Sequence, residues 1–215
     1  MRKHDLVIFD WNGTLQDDLH HIYECGVQRI FRHYGLPCPT LDEYRHEVAA
    51  DFMASFYWPH GIPADVTKQD LNAIMAEGFK EKGAPPGLFP DADKIVIALA
   101  LRGYPLAVAS GYATAKLDAA VARSGLGDRF FRVIGDVLDK ADAIRKITDE
   151  AGVGPERTAV IGDTEEDILG AAAVGATAYI CPRGFHPLSR IEATRDRAPK
   201  LVVAPTLLDL LPHFP

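Results

Sequence analysis

The sequence is poor in cysteine. Its 215 residues hold three, Cys25, Cys38 and Cys181, and no two are spaced as C-x-x-C. An odd, scattered set like this argues against a disulfide framework and against a structural zinc site. Long apolar runs are also missing. The longest unbroken one is Ile95–Leu101, far short of the roughly 20 residues that span a bilayer. At the N-terminus Arg2 and Lys3 precede an apolar stretch of only Leu6–Phe9, below the about 7–15 residues of a signal-peptide core. The expectation is therefore a cytoplasmic protein with no membrane partner. Basic charge is scarce too: 23 Lys+Arg face 30 Asp+Glu, a formal charge of −7. No Lys/Arg cluster offers a footprint for a nucleic-acid backbone, so nucleic acid is not an expected partner. A small anionic substrate fits only if a local cation offsets the acidic field.

What is present reads as globular. Hydrophobic residues make up 47% and charged residues 25%, ordinary values for a folded chain and too apolar for a disordered one. Leu6–Phe9 is a short apolar run ended by Asp10 and then Asn12-Gly13, the pattern of a strand buried on both faces. From Gln16 to Gly35 the texture turns helical. Further helices are expected at about Leu41–Phe56 and Ala64–Glu81, before the breakers Gly83, Pro85, Pro86, Gly87 and Pro90.

Beyond these, short apolar runs alternate with helical stretches. Strands are expected at Leu106–Ala109, Phe131–Ile134, Thr158–Ile161, Thr177–Ile180 and Leu201–Ala204. Helices are expected at Asp91–Arg102, Tyr112–Ser124, Lys140–Ala151 and Glu165–Val174. Alternation of this kind predicts an α/β fold: a doubly wound, mostly parallel, Rossmann-like sheet with an all-helical insert after the first strand. The core domain would comprise residues 1–15 and 88–215, and the helical cap domain residues 16–87.

In such a sheet, ligands bind outside the carboxyl ends of the strands. Three expected strands end in Asp10, Ser110 and Asp163, and Lys140 opens a helix at the same edge. Taken singly, each has an ordinary reading: an aspartate at a strand end forms turns or caps helices, a serine before Gly111 caps, and a lysine is solvated. Two carboxylates, a hydroxyl and an ammonium on one rim are harder to dismiss.

The run Asp10-Trp11-Asn12-Gly13-Thr14-Leu15, then Ser110, Lys140 and Gly162-Asp163-Thr164-Glu165-Glu166-Asp167, resembles the haloacid dehalogenase-like hydrolase superfamily. The nearest likeness is to its phosphoglycolate phosphatase-like branch with a helical cap. Leu88-Phe89-Pro90-Asp91 also resembles the family pattern. The resemblance implies a Mg²⁺-dependent hydrolase of small phosphate monoesters acting through an aspartyl-phosphate on Asp10, with a homodimer permitted. It also implies a metal set of Asp10, the Asn12 carbonyl, Asp163 and Asp167, with Asp167 either behind the metal or orienting Lys140. The catalytic residues would be Asp10, Asn12 and Lys140. The phosphate would be held by Thr14, Ser110, Gly111 and Lys140, Thr14 also locking the turn that Gly13 permits.

Asn12 departs from the pattern. Phosphatases of the family carry an aspartate there, which protonates the leaving group and activates water; an amide does neither. General acid–base help is typically worth about 10²–10⁴-fold. The readings left open are substrates with good leaving groups, a recruited acid/base, a weak phosphatase with another role, or an introduced substitution that traps the intermediate. Competing functions are a non-catalytic phospho-metabolite binding protein on the same scaffold and a dehalogenase-type C–X hydrolase. A response-regulator receiver fits less well, being shorter and without the helical insert.

The insert says less. Asp17, Asp18, His20 and His21 read as hinge and surface residues. Phe52, Phe56, Tyr57 and Trp58 read as the insert's small core, and Arg45 as the candidate for an anionic substrate tail. Arg183-Gly184-Phe185-His186 is expected near the site, with contact to substrate left open.

Overall fold

The computed structural model describes residues 2–83 and 86–215. Pro85, one of the expected breakers, lies outside the described residues. The chain divides into two compact units, Met1–Asp17 with Gly87–Pro215, and Asp18–Pro86.

The chain enters the larger unit with β1, Leu6–Phe9, all four residues buried. The smaller unit follows and is helical. Its first helix, expected from Gln16, begins at Leu19: α1 (Leu19–Ile22) runs through a π-helical turn at Tyr23–Val27 into α2 (Gln28–His33). Asp18, expected at the surface, is buried.

The single helix expected at Leu41–Phe56 is two pieces. The first, α3 (Leu41–Glu47), starts from a Thr40/Glu43 capping box and stops at Val48, whose backbone is extended. A π-helical turn at Met53–Tyr57 follows. The break has local causes: the Asp51 carboxylate accepts from the Ala54 N–H (3.4 Å), and the Ser55 hydroxyl accepts from the Ala49 N–H (3.0 Å). These side-chain bonds compete with a continuous helix. The last helix, α4, spans Lys68–Lys82, its start set by a Thr67/Asp70 capping box rather than by Ala64. Phe56 and Tyr57 are buried, with rings 5.3 Å apart, but Trp58 is 43% exposed and is no part of that core.

The larger unit resumes with α5 (Ala92–Leu101), β2 (Leu106–Ala109), α6 (Thr114–Ser124), β3 (Arg132–Ile134) and α7 (Lys140–Ala151). It continues through β4 (Thr158–Gly162), α8 (Glu165–Val174), β5 (Thr177–Ile180), a short helix α9 (Leu188–Glu192) and β6 (Leu201–Val203). Among the described residues the strands form one six-stranded sheet in the order β3-β2-β1-β4-β5-β6. Every pairing is parallel.

Alternation along β1 shows why both faces are covered. Val7 and Phe9 pack with Ile95, Leu99, Leu117 and Phe214 on one side, while Leu6 and Ile8 pack with Ile144, Ile147 and Ile168 on the other. A strand buried on both faces reads as an unbroken apolar run, as this one does. The strand order reverses direction between β1 and β4, and a doubly wound sheet opens its ligand crevice at such a switch point.

Candidate active site

Asp10, Ser110 and Asp163 follow β1, β2 and β4 at their carboxyl ends, and Lys140 is the first residue of α7. The Lys140 ammonium lies 3.0 Å from Asp10 Oδ1 and 2.8 Å from Asp167 Oδ1, and donates to the Ala109 carbonyl at 2.8 Å. The ammonium donates hydrogen bonds to Asp10 and Ala109 and pairs by charge with Asp167, and these three contacts hold it in place. Asp139 caps α7 by accepting from the Asp142 N–H at 3.1 Å, so the helix start that delivers Lys140 is set locally.

Asp167 serves two structures at once. Its Oδ2 accepts the Thr164 hydroxyl at 2.7 Å and the Thr164 N–H at 3.1 Å, completing the capping box of α8, while Oδ1 faces Lys140. Asp167 thus stands beside Lys140, while one of its oxygens also lies within 4.8 Å of oxygens of Asp10 and Asp163.

Asp163 is fully buried and accepts from two loops: the Thr14 hydroxyl donates to Oδ1 at 2.7 Å and the Phe185 N–H to Oδ2 at 2.6 Å. Thr14, expected to bind phosphate as well as to lock its turn, thus spends its hydroxyl on Asp163. The loop carrying it is tight, with the Trp11 carbonyl accepting from the N–H groups of Leu15 and Gln16 at 2.9 Å each. Gly13 turns it at φ +72°, and a Cβ there would stand 2.4 Å from Asp163 Oδ2. Only glycine meets both demands.

Ser110 is buried and its hydroxyl donates to Asn12 Oδ1 across a long 3.5 Å. Gly111 is exposed at the same strand end. Arg45 belongs to the helical unit and is half-buried there.

Electrostatics describe a site short of positive charge. Burial, with Asp167 nearby, pushes the Asp10 carboxyl up to about 6 against the pull of Lys140. Burial beside Asp10 and Asp167 drives Asp163 upward as well. Burial acts to lower Lys140, but the two carboxylates outweigh it and hold its pKa above the ordinary value. Oxygens of Asp10, Asp163 and Asp167 lie within 4.8 Å of one another with one ammonium among them. Hard carboxylate oxygens crowded this way, under-neutralised and buried, fit a divalent cation such as Mg²⁺.

The sequence reading missed the donors to Asp163. Gly184 was the available signal: a Cβ there would lie 2.1 Å from Asp163 Oδ2 and 2.6 Å from the Gly13 carbonyl. His186, also flagged without a role, is buried and accepts from the Glu165 N–H at 2.9 Å, helping to fix the start of α8.

The haloacid dehalogenase-like hydrolase profile matches residues 4–175, which carry all of these acidic groups. The chain belongs to that family. As a haloacid dehalogenase-like hydrolase it is 28% identical over 186 residues to a 5'-nucleotidase of Pseudomonas aeruginosa, covering 83% of each chain. It is 26% identical over 220 residues to phosphoglycolate phosphatase 1 of the same organism, covering 96% of this chain and 78% of the other. A haloacid dehalogenase-like family hydrolase from Streptococcus pneumoniae has the same fold, with a TM-score of 0.75 at 22% identity over 99% of both chains. Among the described residues no helix of this hydrolase is long and apolar enough to cross a membrane.

Proposed function

We propose that the protein is a Mg²⁺-dependent hydrolase of small phosphate monoesters that works through an aspartyl-phosphate on Asp10. Residues 1–15 and 88–215 would form its core domain, and residues 16–87 its inserted helical domain. The observation that carries the reading is Asp10 held 3.0 Å from Lys140 inside a buried cluster with Asp163 and Asp167. Asp10, Asp163 and the main-chain carbonyl of Asn12 would hold the cation. A cation bound there supplies the charge neutralisation that lets a carboxylate approach a phosphate dianion.

The chain's own groups do the rest. A carboxylate oxygen of Asp10 forms a bond to phosphorus as the ester P–O bond breaks, its electron pair leaving on the alkoxide, which takes a proton from solvent to become the alcohol. Water then attacks phosphorus and gives up a proton to solvent, the bond to Asp10 breaks with its electron pair returning to the carboxylate, and inorganic phosphate departs. Lys140 offsets charge gathering on the phosphoryl oxygens, and Ser110 with the Gly111 N–H would hold one of them. The Asn12 amide is too weak an acid to protonate the leaving alkoxide, so the reading includes attenuated acid–base assistance.

The test is phosphate release from a panel of small esters, with and without Mg²⁺, by the chain as it stands and by Asn12→Asp and Asp10→Asn. Release that requires Mg²⁺, vanishes in Asp10→Asn and rises in Asn12→Asp is expected. A second reading draws on Asn12 itself: a phospho-metabolite binding protein on this scaffold would bind phosphate analogues with no turnover in any of the three.

A further inference from the structure

Three segments distant in sequence meet at Arg183. Its guanidinium grips Asp91 with two nitrogens, Nη1 to Oδ2 and Nη2 to Oδ1, each at 2.8 Å. Nη2 also donates to the main-chain carbonyl of Thr14 at 3.3 Å. The Cζ atom lies 3.9 Å from the centroid of the Phe89 ring, and the Leu207 N–H donates to Asp91 Oδ2 at 2.9 Å. Arg183 therefore ties the loop after β5 to the loop after β1 and to the segment leading into α5. One hydrogen bond, from Nη1 to Oδ2, and a second close charge contact hold the guanidinium on the Asp91 carboxylate.

Asp163 is aimed by two donors, the Thr14 hydroxyl and the Phe185 N–H. Arg183 touches the segments that carry both: its Nη2 donates to the Thr14 carbonyl, and Phe185 lies two residues further along its own loop. Between them the Gly184 backbone packs so closely on Asp163 that no side chain fits. A small rotation of this loop would withdraw one donor and push the carboxylate at the same time.

We propose that Arg183, clamped by Asp91, is a positioning residue for the cation site: it holds the two donors that aim Asp163. This rests on reading Asp163 as a ligand of a divalent cation. Partners that orient a metal-binding carboxylate are typically worth about 10–100-fold in metal affinity. Arg183 touches neither substrate nor cation in this account, so its effect belongs in cation affinity rather than in the chemical step.

The experiment titrates Mg²⁺ into the unsubstituted chain and into Arg183→Lys, Arg183→Met, Asp91→Asn and Arg197→Met, reading binding by calorimetry. Thermal unfolding of each is measured in parallel with EDTA present. Arg183→Lys keeps the charge but loses the fork, and Asp91→Asn weakens the clamp; both are expected to raise the Mg²⁺ Kd by about 10–100-fold. Their phosphate release at saturating Mg²⁺ should return towards that of the parent. Arg197→Met removes a surface pair with Glu165 and should bind as the parent does. Unchanged Mg²⁺ affinity in both Arg183→Lys and Asp91→Asn, even with a lowered melting temperature, would overturn the proposal and leave the pair a purely structural brace. Those two variants decide the matter if Arg183→Met does not fold. Failure of the parent to bind Mg²⁺ would overturn the cation reading and this role with it, whereas normal binding by parent and variants alike removes this role alone.

Discussion

Asp167 Oδ1 stands 2.8 Å from Lys140 Nζ, while Oδ2 of the same carboxylate accepts the Thr164 hydroxyl at 2.7 Å. One fully buried side chain thus sets the start of α8 and the position of the ammonium that reaches Asp10. Asp167→Asn keeps an acceptor for the cap but removes a charge and turns an N–H₂ group towards Lys140 or Thr164. We expect phosphate release to fall about 10–100-fold, as for other partners that orient an active group, with far-ultraviolet circular dichroism unchanged. Wild-type rates in this variant would separate Asp167 from the chemistry.

Asn12 sets the dependence on leaving group. Carboxylates and phenolates depart without a proton, having conjugate-acid pKa values of about 4 and about 10, whereas an alkoxide is far more basic. Across a series of acyl, aryl and alkyl phosphates, kcat/KM should fall steeply with leaving-group basicity. Asn12→Asp should flatten that slope, raising the alkyl esters by up to about 10²–10⁴-fold and the acyl phosphates little. A shallow slope in the unsubstituted chain would show that another residue supplies the proton; Asp17→Asn would then be the variant to assay.

Gly184 should not accept a methyl group. A Cβ would stand 2.1 Å from Asp163 Oδ2, and forcing one into a packed site costs about 1–3 kcal/mol. Chemical unfolding should show Gly184→Ala destabilised by that amount, and calorimetry should show weaker Mg²⁺ binding. Parental stability and Mg²⁺ affinity in this variant would mean the loop yields freely.

His4 predicts how stability responds to acid. It is buried, with Nε2 2.9 Å from the Tyr179 hydroxyl. Burial, aided by Lys3, Arg157 and His213 against Asp5, lowers its pKa to about 4. The unfolded chain takes up this proton near pH 6.5 and the folded chain only near 4, so stability present above pH 6.5 is lost as pH falls through that window. The loss is roughly 2–3 kcal/mol by pH 4.5 on the usual linkage between pKa and free energy. His4→Phe should show a correspondingly smaller fall between pH 7 and pH 4.5 in urea unfolding. Equal slopes for the two proteins would refute it.

Local chemistry explains why so much of the core unit could be read in advance. Leu6–Phe9, Leu106–Ala109 and Thr177–Ile180 are short apolar runs with breakers at their ends, and both faces of the sheet are covered, so the runs carry no ambiguity of face. Lys140–Ala151 and Glu165–Val174 have caps encoded within three residues, at Asp139 and Thr164, and left-handed glycines at 152 and 175. In the helical unit the same rules misled. Leu41–Phe56 has helical periodicity throughout, yet Asp51 and Ser55 offer the backbone other partners, and periodicity does not register that competition.

By itself the sequence determined the ends of β1 and β2, the starts of α7 and α8 and therefore the rim on which Asp10, Ser110, Lys140 and Asp163 fall, because apolar spacing and capping act between near neighbours in the chain. Only the tertiary structure decided that Asp167 faces Lys140, that Thr14 turns its hydroxyl to Asp163 and that Arg183 clamps Asp91. Those contacts join side chains many residues apart, and burial made each necessary: a polar group enclosed by the sheet and its helices must take whichever partner the fold brings within reach.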